Sequence, residues 1–466
     1  MTHPMSTGRA FACLTVLIFG WTSVALRAQT GNSPAATATE GASTMPLAGP
    51  QIVSVSAYGA YYSHGLPGAG SAAQTGAANL PSDFGLGGSI DFNWSKFTER
   101  TTFSLSYNPS YTAQVRYSSL DALNHSASFN ISRKLTPLWT LGFTAAVNYT
   151  TQQESLFAPA ALSTVASVPS SFGQLSGALL SGNFTGNQQL GVALTNSALV
   201  QSPLANLLYG QRMLTSSAHG NLSHTFSPRL SVTFSAGGGY SEYVSQNQPL
   251  NVANTAILSN TTSGTAGATI SYSLSPTSQL GASVVSSWTS SSIEDAITTT
   301  SLATFGRTFG KQWIVQLHGG AGVTNAIRQT AFPIATKPLP AIGGSLGFKT
   351  ATNTILGSFD HTVADSYGLG ASSSNTSTIA WRWRRPGSRW SLQGSLSWQQ
   401  LQGSVLTNTS GWQAAAGANR GFGPHLAMSL QYSYLSYSGG LQTAASNLSE
   451  SAVRISMIWT PRPNLR

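Results

Sequence analysis

From Ile52 onward, apolar and polar residues alternate with a period of two. Leu141, Phe143, Ala145, Val147 and Tyr149 interleave with Gly142, Thr144, Ala146, Asn148 and Thr150. Trp390, Leu392, Gly394, Leu396 and Trp398 interleave with Ser391, Gln393, Ser395, Ser397 and Gln399. Leu426, Met428, Leu430, Tyr432 and Tyr434 form another apolar set, and Ile90, Phe92, Trp94 and Phe103, Leu105, Tyr107 form shorter ones. Successive side chains of a strand point to opposite faces. Such runs therefore predict strands that are apolar on one face and small and polar on the other.

Short turns punctuate the runs. Ile131-Ser-Arg-Lys-Leu-Thr-Pro-Leu-Trp-Thr-Leu141 and Thr225-Phe-Ser-Pro-Arg-Leu-Ser-Val-Thr-Phe234 share one layout. The stretches from Tyr272 to Ala282 and from Arg420 to Leu430 repeat it. Turns centre near residues 98, 135, 227, 276, 310, 351, 387 and 423. Each predicts a hairpin with arms of roughly 10 to 15 residues, enough for the tilted 9 to 11 that cross a bilayer. The interval of roughly 40 residues also suits a β-propeller or β-solenoid, but those use shorter strands. Eight hairpins make sixteen strands; Ile52 to Tyr62 and Ser451 to Thr460 bring the number to about eighteen. The expected fold is an all-β, transmembrane, antiparallel up-and-down β-barrel of about 18 strands (16–18) with a long third outer loop.

Composition sharpens this. Only 7% of the residues are charged, yet 11 Trp, 15 Tyr and 19 Phe are present. Soluble proteins carry about 25% charged residues, and disordered chains are poor in aromatics. Mean hydropathy is +0.00. No stretch after the N-terminus approaches the roughly 18 uncharged apolar residues of a membrane helix. A mature protein that spans a membrane must do so with strands.

Residues 1–28 read as a signal peptide: Arg9 precedes the apolar run Ala10 to Gly20, and the small residues Ser23, Ala25 and Ala28 follow. Cleavage is expected after Ala25 or Ala28; an uncleaved anchor is the other reading. Residues 29–50 read as a flexible periplasmic lead-in and residues 51–466 as the outer-membrane barrel. The lead-in is too short for the plug domain of active transporters. Cys13, the only cysteine, falls in the signal, so no disulfide or thiolate metal site is expected.

Charges sort by sign. Lys96, Arg100, Arg133, Lys134, Arg229, Arg307, Lys311, Lys349, Arg385, Arg389 and Arg420 sit at the short turns, with Glu99 the one acid among them. Asp83, Asp121, Glu154, Glu242, Glu294, Asp295, Asp365 and Glu450 sit in the longer connections. Short turns face the periplasm in bacterial barrels, so that rim is expected basic and the outer rim acidic. The net charge of +10 and pI near 9.8 follow from these turns and not from a nucleic-acid face. Trp94, Trp139, Trp313, Trp381, Trp383 and Trp390 cluster at the short-turn ends, where indole rings favour the membrane–water boundary. Ordinary strand preference of tryptophan is the other explanation.

With these features the chain resembles a Gram-negative outer-membrane barrel of porin type, in pattern over most of its length and in no specific motif. In classical porins the third loop folds into the barrel and narrows it. Here Gln152 to Met213 occupies the matching place, and Leu199 to Tyr209 within it can form a short helix despite Pro203. Phe172-Gly173 after Pro169 resembles the porins' Pro-Glu-Phe-Gly loop motif without its glutamate, so no function transfers to Phe172. Porins tend to end in an aromatic residue; here Trp459 would serve, followed by Thr-Pro-Arg-Pro-Asn-Leu-Arg466. The resemblance implies residence in the outer membrane of a diderm bacterium. It implies membrane lipids, lipopolysaccharide, the barrel-assembly machinery and small solutes as partners, with no cofactor and no nucleic acid. Monomer and oligomer both stay open.

If the apolar positions face lipid, their neighbours face the lumen. Arg382 and Arg384 alternate with Trp381 and Trp383, Arg454 with Val453 and Ile455, and Arg116 with Val115 and Tyr117. A charge on the lipid face near mid-bilayer costs about 2 to 4 kcal/mol, so these four arginines are expected to line a pore and raise its anion concentration. The other reading leaves them at the rim, screened by salt over about 10 Å.

Other chemistry is thin. Gly343-Gly-Ser-Leu-Gly347 fits a nucleophile elbow, but lies in a strand pattern and not at a strand–turn–helix junction. The histidines are scattered; His219 and His224 are expected on opposite faces of one strand. Asp91 and Asp360 read as isolated strand carboxylates, and Glu294-Asp295 as a solvated loop tip. No enzyme activity and no metal site is expected. The leading function is passive diffusion of small hydrophilic solutes, with anions preferred. The alternatives are export of an acidic polysaccharide, a non-conducting structural or adhesive barrel, and a membrane-embedded hydrolase using Ser345.

Overall fold

The structure, a computed structural model, describes residues 49–63, 82–116, 121–151, 212–244, 251–252, 255–256, 260–291, 294–329, 338–365, 371–402, 406–441 and 444–461. The first strands are β1 (Gly49–Tyr62), β2 (Asp83–Phe97), β3 (Thr101–Gln114), β4 (Ala122–Lys134), β5 (Trp139–Thr151), β6 (Arg212–Ser227) and β7 (Leu230–Tyr243). A two-residue hairpin follows, β8 (Asn251–Val252) with β9 (Thr255–Ala256). Then come β10 (Thr261–Ser275), β11 (Ser278–Ser290), β12 (Glu294–Phe309), β13 (Trp313–Gln329), β14 (Leu339–Lys349), β15 (Asn353–Asp365), β16 (Ala371–Arg384), β17 (Trp390–Gln402), β18 (Leu406–Gly421), β19 (Leu426–Leu441) and β20 (Ala444–Trp459).

Apart from β8 and β9, each strand pairs antiparallel with its neighbours in sequence, β7 pairs with β10, and β20 returns to β1. The result is a closed 18-stranded sheet. Closure is a necessity of the solvent: in hydrocarbon every backbone N–H and C=O needs a protein partner, and a sheet meets that demand only without edges. At the seam Val55 lies opposite Trp459 and Tyr62 opposite Ala452. No helix among the described residues is long and apolar enough to cross a membrane; the crossing is made by strands.

All eight expected turns lie where the sequence places them, between β2 and β3, β4 and β5, β6 and β7, β10 and β11, β12 and β13, β14 and β15, β16 and β17, and β18 and β19. Gly310, Gly387 and Gly423 take positive φ in three of them, a conformation open to glycine at little cost. Terminal strands differ slightly from expectation. β1 starts at Gly49, inside the stretch read as lead-in, and β20 starts at Ala444. At the other end, the connections after β11, β17 and β19 are as short as the turns, so that rim is uneven. The third loop runs over 152–211, because Arg212 and Met213 belong to β6. That loop, with Phe172, Gly173 and the Leu199–Tyr209 segment, lies outside the described residues, as does the signal peptide.

The wall is apolar outside and polar inside. On β19 Leu430 is 46% exposed while the neighbouring Ser429 is 1% exposed and bonds Ser456 of β20 at 2.5 Å. Large exposed side chains of nearly every barrel strand are apolar, and most polar buried ones are Ser, Thr, Asn or Gln. That is the inverse of a soluble protein. The surface turned outward is the one that meets lipid.

Two aromatic belts bound this surface. The short-turn belt contains the expected tryptophans: Trp139, Trp313 and Trp390 begin β5, β13 and β17. Trp94 and Phe129 pack edge-on against the buried Phe103. The second belt, toward the opposite end, holds Trp288, Trp398, Trp412 and the tilted His125–Tyr149 pair. Trp390 and Trp398 stand about 27 Å apart along β17, or about 21 Å along the barrel axis at a tilt near 40°, close to the apolar band of about 25 Å in outer-membrane barrels. An even-stranded antiparallel barrel with such a band is the spanning structure of bacterial outer membranes, and this protein is an outer-membrane barrel.

Candidate pore wall

The inner face is built from the polar half of each alternating run. Arg382 faces inward between Trp381 and Trp383, is 8% exposed, and lies opposite Thr354 of β15 and Gln393 of β17. The register continues across the wall: Gln393 opposite Gly417, Gly417 opposite Gln431, and Gln431 opposite Arg454. Arg382 and Arg454, far apart in the chain, thus end one line of inward positions that crosses five strands, about 19 Å along the wall. Two glutamines lie between them, both touching the space above Gly417. Arg384 stands one inward step nearer the turn, opposite Ser391.

Arg116 is placed differently. β3 ends at Gln114, and Arg116 follows in a bend at the outer rim. Its backbone N–H donates to Asp83 Oδ1 and its guanidinium to the Ser82 carbonyl, both at 3.0 Å. Of the four arginines, the structure brings Arg382, Arg384 and Arg454 onto the inner face and leaves Arg116 at the loop end.

Inward side chains lie flat along the wall, and glycines permit it. Tyr58 of β1 crosses Gly87 of β2 to bond Thr112 of β3 at 2.5 Å. A Cβ on Gly87 would fall 2.5 Å from the Tyr58 hydroxyl. Arg454 stacks on this tyrosine, with Cζ 3.5 Å from the ring centroid. Cation–π contact fixes the guanidinium while leaving its N–H groups available. The same construction recurs where His318 of β13 crosses Gly343 of β14 to meet Asp360 of β15, Nε2 to Oδ1 at 3.0 Å. A Cβ on Gly343 would lie 2.6 Å from both partners.

The two strand carboxylates are therefore not isolated. Asp360 is held by His318, and Asp91 accepts hydrogen bonds from Ser54 and Asn108. One strand shows neither partnership, because both partners come from other strands. Asp295, expected at a loop tip, forms an ion pair with Arg328 at 2.7 Å on the outer rim. Ser345 sits inside β14, opposite Gln316 and Ser358, without the strand–turn–helix junction that exposes an elbow nucleophile. His219 faces inward beside Gly237, whereas His224 faces outward against Trp139 and Phe226, so the pair is split as expected. Among the described residues no group of three or more His, Cys, Asp or Glu could hold a metal.

No protein-family model and no curated protein matches the chain. Solved structures of bacterial outer-membrane barrels align with it over most of their length. OccK2 (OpdF) of Pseudomonas aeruginosa aligns over 88% of this chain and 97% of its own, at 9% identity and a TM-score of 0.43. A BenF-like porin of Pseudomonas fluorescens Pf-5 aligns over 88% and 99%, at 8% identity and a TM-score of 0.42. The siderophore receptor PirA of Pseudomonas aeruginosa aligns over 90% and 81%, at 9% identity and a TM-score of 0.41. At such scores porins and receptors are not distinguished, and the architecture of this chain rests on its own strand pairing.

Proposed function

We propose that the protein is a passive channel for small hydrophilic solutes and that it prefers anions. The carrying observation is the inward line from Arg382 to Arg454, set in a wall of Ser, Thr and Gln. Eighteen strands tilted near 40° set the backbone about 18 Å from the axis, farther than inward side chains reach, and barrels of this size leave an aqueous interior. Flattening of Tyr58 and His318 across glycines keeps that interior wide. The inward arginines raise the local anion concentration, and the carboxylates Asp91 and Asp360 are each engaged by neighbours.

The test is a planar bilayer held under a KCl gradient. The reversal potential should have the sign of anion preference, and Arg382→Gln with Arg454→Gln should move it toward zero. Cation preference in the unmodified protein would overturn the anion reading; absence of discrete current steps would overturn the channel.

A further inference from the structure

The short-turn rim carries a second set of basic residues, on the lipid side of the wall. Lys96 lies opposite Phe103, Arg133 follows Ile131 on the same face, Arg307 shares a face with Phe309, and Arg420 lies opposite Trp390. None of the four takes part in an ion pair among the described residues, in contrast to Arg328, which pairs with Asp295. Arg420 is the most constrained: its Cζ lies 5.0 Å from the ring centroids of both Trp390 and Phe422. Arg307 repeats the arrangement on Phe309 at 5.0 Å.

We propose that this rim binds the phosphate headgroups of anionic phospholipids in the periplasmic leaflet, with Arg420, clamped between Trp390 and Phe422, as the tightest position. The inference rests on the barrel lying in the outer membrane with its short turns toward the periplasm. Depth is the first argument. A charge on the lipid face costs about 2 to 4 kcal/mol at mid-bilayer but about 0 to 1 near the interface, and all four lie within the last turnward residues of their strands. Geometry is the second. A guanidinium held against a ring by its face keeps its N–H edge, the edge that grips phosphate bidentately, outside that contact. Charge is the third: four outward cations with no carboxylate partner among the described residues leave a positive rim, whereas Arg328 at the other end is neutralised by Asp295. The exposed Trp390 and Phe422 (45% and 50%) supply an apolar seat for the glycerol and upper acyl carbons.

The experiment is native mass spectrometry of the full chain, delipidated in neutral detergent and then offered phosphatidylglycerol or phosphatidylcholine. The unmodified protein should retain phosphatidylglycerol in clear excess. Arg420→Gln should reduce that retention about fivefold, the share of one basic contact at a membrane surface. Replacing Lys96, Arg133, Arg307 and Arg420 together by glutamine should bring it to the phosphatidylcholine level. Equal retention of the two lipids by the unmodified protein overturns the proposal whatever the variants do, as does a quadruple variant that keeps its phosphatidylglycerol. Each sample is also run unheated on a denaturing gel. Loss of the compact band in the unmodified protein would count against the barrel itself, a separate failure.

Discussion

Single positions do two different jobs here, according to the face they occupy. Tyr432 lies midway between the two belts on the lipid face, opposite Val453, and Met428 lies two outward steps nearer the turn, opposite Arg420. Tyr432→Arg should lower stability by about 2 to 4 kcal/mol and Met428→Arg by about 0 to 1, measured by urea unfolding in phospholipid vesicles; equal costs would mean that the two do not differ in depth. On the inner face the decisive residue is a missing side chain. Gly343→Val places atoms where His318 and Asp360 meet. The two should separate and swing toward the axis, lowering single-channel conductance without loss of the compact gel band. Unchanged conductance would show that the pair does not border the solute path.

A strand in this wall is defined by its parity. In β18 the even positions Trp412, Ala416 and Arg420 are exposed outward, while Gln413 and Ala415 are buried inward. A shift of one residue exchanges the faces. Deleting Ala416 would turn Gly417, Asn419 and the rest of the strand over, moving Arg420 from the rim into the wall. The variant is expected to give no heat-modifiable form, whereas Ala416→Gly should fold normally. This parity explains why the strands were legible from sequence: alternation is the direct imprint of two solvents on one backbone. The eight short turns were legible for the same reason, since alternation stops and turn residues appear.

Closure belongs to the whole molecule. β1 and β20 are the most distant strands in sequence, yet they complete the wall, with Ser63 N–H donating to the Ser451 carbonyl at 2.9 Å just beyond the seam. Removing residues 444–466 would leave two unpaired edges in hydrocarbon, where each unsatisfied backbone group costs several kcal/mol. The truncated chain should not yield a trypsin-resistant core in vesicles, whereas the full chain should. The proposed anion preference belongs to the same scale, since the potential inside the barrel would sum over Arg382 and Arg384 of β16 and Arg454 of β20.

Strand number, turn positions, the basic short-turn rim and the inward parity of Arg382, Arg384 and Arg454 were determined by sequence alone, because each depends on residues close together in one strand or turn. Arg116 shows the limit of that reasoning, since alternation could not tell the last strand residue from the first of the loop. The His318–Gly343–Asp360 bridge, the Arg454–Tyr58 stack and the alignment of Arg382 with Arg454 were decided only by tertiary structure. Each depends on the register between strands, and register arises when the sheet closes and every strand settles against two neighbours at once.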